Sequence, residues 1–271
     1  MPLRRPARLP RPPHLLSLPP RPIRCGAAVT VGAVLLLCGC AVPSDTTAGE
    51  ARPAGRTMST TTAGRPGVAE RSVRRERLLP GVGPAMLARV PDSTGQVLLV
   101  TGTDRDGSTA TARLYRRTPD GWEPTTKSWP AHNALKGWTH DHRIGDLRSP
   151  VGAFTLTDAG GLLPDPGTRL PYDRSTGFRI AGTGSRGEPL AGSFDYVVAI
   201  DYNRQPGTTP LDWTRPEGAA KGGGIWVHVD HHGPTQACVS IARDHMKELL
   251  RALDPSRKPM IVMGDAASLA R

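Results

Sequence analysis

The stretch His228-Val229-Asp230-His231-His232-Gly233-Pro234-Thr235-Gln236-Ala237-Cys238 runs from a histidine in an apolar strand, through a glycine–proline turn, to a cysteine. Acyl transfer by a thiol needs a nucleophile and a base that takes its proton. Both residue types stand within eleven residues here. In Ile225-Trp226-Val227-His228-Val229 the period of two puts Ile225, Val227 and Val229 on one face and Trp226 and His228 on the other. The aliphatics are expected to face the core. His228 is then held rigidly on the opposite face, as a general base requires. A strand histidine taken alone is more often structural, and it is the nearby cysteine that changes its weight.

A zinc hydrolase is the rival reading. His228, Asp230, His231 and His232 are crowded, and His140-Asp141-His142 lies upstream. These are zinc-ligand types, but adjacent histidines in an extended chain point to opposite sides. His231, His232, His140 and His142 are expected to be solvated loop residues near the cleft. No metal or other cofactor is expected.

The elements that must position this pair are mostly strands. Gln96-Val97-Leu98-Leu99-Val100 is a buried-strand run, and Thr111-Ala112-Arg113-Leu114-Tyr115-Arg116 alternates. Trp122 begins a short extended piece, and Ala153-Phe154-Thr155-Leu156 follows a Ser-Pro turn. Phe194-Asp195-Tyr196-Val197-Val198-Ala199-Ile200 is the strongest run, and a last strand from Pro259 to Met263 is expected to stop at Gly264. One helix is clear: Met246, Leu249, Leu250 and Leu253 make a single apolar stripe, with Ser240 or Asp244 as cap and Asp254-Pro255 as stop. His245 lies outside the stripe and is expected to face solvent. The Gly/Pro/Arg-rich segment 201–224 reads as a lid or substrate wall. The class is mainly β (α+β), with a few helices.

The four cysteines are Cys25, Cys38, Cys40 and Cys238. The first three lie in an arginine-rich start followed by a short apolar run, the pattern of a signal peptide. That run ends in Leu37-Cys38-Gly39-Cys40, which resembles the lipobox of bacterial lipoproteins. The resemblance implies lipidation at Cys40 and an exported protein on the outer face of the cytoplasmic membrane, facing the wall. Residues 1–39 are then the lipoprotein signal peptide. Residues 40–76, rich in Ser, Thr, Ala, Gly, Pro and Arg, read as a disordered tether, and 77–271 as the catalytic domain. The formal charge of the whole chain is +11, and six arginines fall in the signal, which leaves the remainder at +5. That charge is mild and scattered, and calls for no nucleic-acid partner. In an oxidising compartment an unpaired Cys238 is a candidate reactive thiol.

The stretch 222–264 is similar to the catalytic domain of the L,D-transpeptidases, the YkuD-like family. That family has a strand histidine, a variable loop and a Ser/Thr-His-Gly-Cys motif. Thr235-Gln236-Ala237-Cys238 stands at the motif and His228 at the strand histidine. Gly145-Asp146-Leu147-Arg148-Ser149-Pro150-Val151-Gly152-Ala153-Phe154 resembles a second family stretch, and Leu170-Pro171-Tyr172 and Asp201-Tyr202-Asn203 also fit. The resemblance implies a β-sandwich with peripheral helices and a cysteine acyl-enzyme formed on peptidoglycan stem peptides. The products are 3-3 cross-links or stems with an exchanged terminal D-residue. It makes Cys238 the nucleophile and His228 the base. The Val229 carbonyl orients the imidazole, the backbone N–H groups of Ala237 and Cys238 form the oxyanion hole, and Thr235 is a supporting hydroxyl. An imidazolium beside the thiol is expected to lower its pKa. Trp226, Gln236, Ser240, Tyr202 and Asn203 are the expected substrate contacts, and the protein is expected to be a monomer. The departures are Ala237 for glycine, Gln236 for histidine, and Ser240 for Asn or Arg. They leave room for an L,D-carboxypeptidase, or for an inactive wall-binding lipoprotein of the same fold.

Overall fold

The computed structural model describes residues 78–271. The expected signal peptide, the tether and the Cys40 lipidation site lie outside the described residues.

The strands are β1 (Gln96–Gly102), β2 (Thr109–Thr118), β3 (Gly121–Pro124), β4 (Trp129–His132), β5 (Trp138–Thr139), β6 (Ser149–Pro150) and β7 (Gly152–Thr155). They continue with β8 (Ala159–Gly161), β9 (Tyr172–Arg174), β10 (Val197–Ala199), β11 (Trp226–Val229), β12 (Val239–Ile241) and β13 (Met260–Asp265). The helices are α1 (Pro84–Leu87), α2 (Arg243–Ala252) and α3 (Ala266–Leu269). The protein is therefore mainly β with a few short helices, the class its sequence implies. One curled sheet runs β7-β13-β1-β2-β4-β12-β11-β10-β8-β9, with β3 added against β2 and a separate β5-β6 pair.

β1 lies between parallel β13 and antiparallel β2. A central strand covered on both faces reads as an unbroken apolar run, and Val97, Leu98 and Val100 are fully buried. β2 instead alternates, burying Ala110, Ala112 and Leu114. Met246, Leu249, Leu250 and Leu253 are all at 0% exposure, as the stripe requires. Full burial of such side chains stabilises by roughly 1.5–3 kcal/mol each. The helix they anchor packs against β11, the strand that carries His228.

Three local expectations fail. The run from Phe194 yields a strand of only three residues, Val197–Ala199. Upstream, Ser193 Oγ donates to the Leu190 carbonyl and the Asp195 N–H to that of Gly192, so the chain turns there. β13 continues through Gly264 to Asp265, whose carboxylate accepts the Ser268 N–H and caps α3. α2 starts after Ala242 with no side-chain cap, because Ser240 lies inside β12.

Segment 201–224 is irregular but pinned. The Arg204 guanidinium is buried between Asp158, at 2.9 Å, and Asp201. Asn203, at φ 44°, donates to the carbonyls of Gly218 (2.9 Å) and Gly222 (2.7 Å) and accepts the Glu217 N–H at 2.7 Å. These bonds hold the segment in place, and of its residues Gly222, Gly223 and Gly224 line the Cys238 cleft. Gly222, Gly223 and Gly224 follow with φ of 68°, 142° and 66°, a run that side-chain-bearing residues rarely adopt.

Candidate active site

β11 and β12 run parallel, with Val227 beside Val239, His228 beside Ser240 and Val229 beside Ile241. One residue further back this register sets Cys238 beside Trp226, whose N–H donates to Sγ at 3.4 Å. Cys238 and His228 are therefore diagonal neighbours on one face of adjacent strands. With strands about 4.8 Å apart and about 3.3 Å per residue along each, the two Cα atoms stand roughly 8 Å apart. Both line a cleft of about 530 Å³.

His228 is 3% exposed. Its Nδ1 lies 2.9 Å from the Val229 carbonyl. A carbonyl only accepts, so Nδ1 carries the proton and Nε2 keeps its lone pair. The Phe194 ring stands edge-on to His228 and Trp226, at 5.3 and 4.9 Å, and fixes the same face. Burial pushes the His228 pKa down to about 4, with the Val229 carbonyl opposing. Burial pushes the Cys238 thiol up to about 11, against the Trp226 N–H. The resting pair is thus neutral thiol and neutral imidazole, which corrects the expectation of an imidazolium that lowers the thiol.

The Cys238 carbonyl is held by Thr235 Oγ1 at 2.6 Å and Ser149 Oγ at 3.2 Å. Ser149, fully buried, also accepts the Ala134 N–H at 3.0 Å. Ala237 packs against the core and lines the cleft, and its φ is not positive. Its methyl therefore adds no left-handed strain to the turn. Gln236 is exposed on the cleft wall, beside the backbone of Ala237 and Cys238.

Four expected substrate contacts sit elsewhere. Ser240 is at 0% exposure and donates to Asp230 at 2.8 Å, where His132 also bonds, so a half-buried carboxylate engages its hydroxyl. Trp226 does not line the cleft, because Phe178 and Phe194 cover its ring. Tyr202 faces a neighbouring cavity and donates to the His142 carbonyl at 3.2 Å. Asn203 has all its polar atoms committed to the 217–222 turn.

The histidines also need correction. His142 is buried, with Nδ1 3.0 Å from Asp146, and His231 is buried and stacked on His228. Both line the cleft. His245 stacks on Trp129 at 5.2 Å and is half-buried. Among the described histidines only His140 and His232 are exposed. Among the described residues no group of three or more His, Cys, Asp or Glu side chains is placed to hold a metal.

Two contributors escape a reading by sequence period. One is Ser149, marked only by its place in the 145–154 stretch. The other is the loop 182–190, folded on itself by Gly184 N–H to the Glu188 carbonyl (2.8 Å) and Leu190 N–H to that of Gly182 (3.0 Å). Thr183, Gly184, Ser185 and Leu190 line the cleft together with Gly222, Gly223 and Gly224. The closely spaced Gly182, Gly184 and Gly187 are its one sequence signal.

No protein-family model matches the chain, and no curated protein matches it. Among solved structures it is similar to the helical cell shape determining protein Pgp2 from Campylobacter jejuni. The identity is 17%, over 64% of this chain and 49% of that chain, with a TM-score of 0.37. It is also similar to Bd1075 from Bdellovibrio bacteriovorus, at 14% identity over 69% of this chain and 53% of that chain, with a TM-score of 0.36. The chain spans about half the length of these proteins. A likeness this distant gives no residue of the chain a role.

Proposed function

We propose that this protein is a cysteine acyltransferase of the L,D-transpeptidase kind, acting on peptidoglycan stem peptides. The observation that carries the reading is the Cys238 thiol diagonal to His228, whose Nδ1 is locked by the Val229 carbonyl. Sγ attacks the carbonyl of the third stem residue while His228 Nε2 takes the thiol proton. The tetrahedral oxyanion is met by the N–H groups of Ala237 and Cys238. Collapse breaks the peptide bond, and His228 returns the proton to the leaving amine of the terminal D-residue. An amine from a second stem then attacks the thioester, and the thiol is restored.

Incubation with tetrapeptide stems, read by mass spectrometry, is expected to give cross-linked or exchanged products in the presence of EDTA. Trimmed tripeptide alone makes the protein a carboxypeptidase. Loss of activity in EDTA that zinc restores makes it a metal hydrolase, and the present reading then fails.

We further propose that Cys40 is lipidated and tethers the domain, through residues 40–76, to the outer face of the membrane. Cys40→Ala is expected to move the protein from the membrane fraction to the soluble one. Unchanged membrane binding and processing would refute the anchor.

A further inference from the structure

The residues lining the Cys238 cleft include His142, His228 and His231 but no Asp, Glu, Lys or Arg. The ionisable basic groups that a ligand's anionic end can meet there are imidazoles. His228 is kept neutral by burial and is occupied as the base. Burial also lowers the proton affinity of His142.

His231 stands differently. Its ring is parallel to that of His228, with centroids 5.8 Å apart and an interplanar angle of 10°. Its Nδ1 is buried and lies 3.4 Å from Glu188 Oε1, and neither atom has a hydrogen-bond partner. The carboxyl of Glu188 is held below its usual range by its own N–H and by the Arg186 N–H, which reaches Oε2 at 2.7 Å. The carboxylate rests on Gly184 and Gly233. A Cβ there would come within 2.3 and 2.0 Å of Oε1, so two glycines make room for it. The Glu188 carboxylate is thus fixed against one nitrogen of the His231 ring. With Nδ1 turned to Glu188, Nε2 is the nitrogen the ring presents to the cleft.

We propose that His231, backed by Glu188, binds the free C-terminal carboxylate of the acyl donor and so selects donors that end in an unmodified D-residue. The inference rests on the acyl-transfer reading above. In the leaving α-amino acid the carboxylate is two bonds from the amine that His228 protonates. Its receptor must therefore stand about one ring's distance from His228, as His231 does.

The test compares a tetrapeptide stem ending in free D-alanine with its C-terminal amide, by the rate of Cys238 thioester formation in intact-mass spectrometry. The wild-type protein is expected to favour the acid in KM by at least about tenfold, the scale of one charged hydrogen bond. In His231→Gln the acid-to-amide ratio is expected to fall to near one, with Glu188→Gln intermediate. A ratio unchanged in His231→Gln, or absent in the wild type, overturns the proposal. If neither donor reacts, the acyl-transfer reading falls, and binding decides the inference alone. Cys238→Ala protein is titrated with acetyl-lysyl-D-alanine and with its amide, and the His231 ring protons are followed by NMR. A saturable shift with the acid only supports the proposal. Equal shifts, or none, overturn it.

Discussion

A carbapenem-type β-lactam is expected to leave one covalent adduct per chain, and Cys238→Ala is expected to leave none. Cys238 is the one free cysteine among the described residues, and it lies in the cleft beside a base with an available lone pair. The strained ring supplies the acyl group and His228 the proton transfer, so no preformed thiolate is needed. Simple alkylation is a different case. Iodoacetamide needs the thiolate, and a thiol pushed up to about 11 offers far less of it at neutral pH than an ordinary cysteine near about 8.5. Alkylation is therefore expected to be slow while acylation is fast. Intact mass against time with the two reagents reads the contrast. Rapid alkylation at pH 7 would show that the thiol is ionised at rest, and an adduct on Cys238→Ala would move the nucleophile elsewhere.

The face of β11 was legible because a period of two leaves only two arrangements. Val227 and Val229 are buried against the helix side, and Trp226 and His228 share the Phe194 ring. The helix stripe was legible for the same reason. Burial, however, does not announce where a ladder ends. Phe194 to Tyr196 look like strand because they are apolar and alternate, yet Ser193 and Asp195 bond backward and bend the chain so that Phe194 packs over the site. Histidines in loops read as solvated in the sequence because their neighbours there are polar. His231 is buried by Glu188, a residue distant in sequence that lies on two glycines, and no local pattern encodes that contact. Ser240, Tyr202 and Asn203 fail alike, since whether a polar side chain faces ligand or backbone depends on partners that sequence spacing does not specify.

His228→Ala is expected to lower the acylation rate by at least about 100-fold, within the roughly 10²–10⁴-fold range of base catalysis. His232→Ala and His245→Ala are expected to cost less than about tenfold, because His232 is exposed and His245 stacks on Trp129 outside the cleft. The pH profile separates this neutral pair from an ion pair. The base must be unprotonated, and burial has pushed its pKa down to about 4, so the acid limb is expected near pH 4. The thiol ionises only near about 11, so the rate is expected to stay flat through neutral pH. A thiolate–imidazolium pair gives instead a bell between two nearer values. The same burial has a stability sign. The unfolded chain takes a proton on this histidine near about 6.5, whereas the folded chain takes it near about 4. The unfolded state therefore binds more protons across that window, and stability is lost as pH falls through it. His228→Gln removes this titration, so its unfolding midpoint is expected to change less than the wild type's between pH 6.5 and pH 4. Acylation at the full rate in His228→Ala, or an acid limb near pH 6.5 in the wild type, would remove His228 from the role of a buried neutral base.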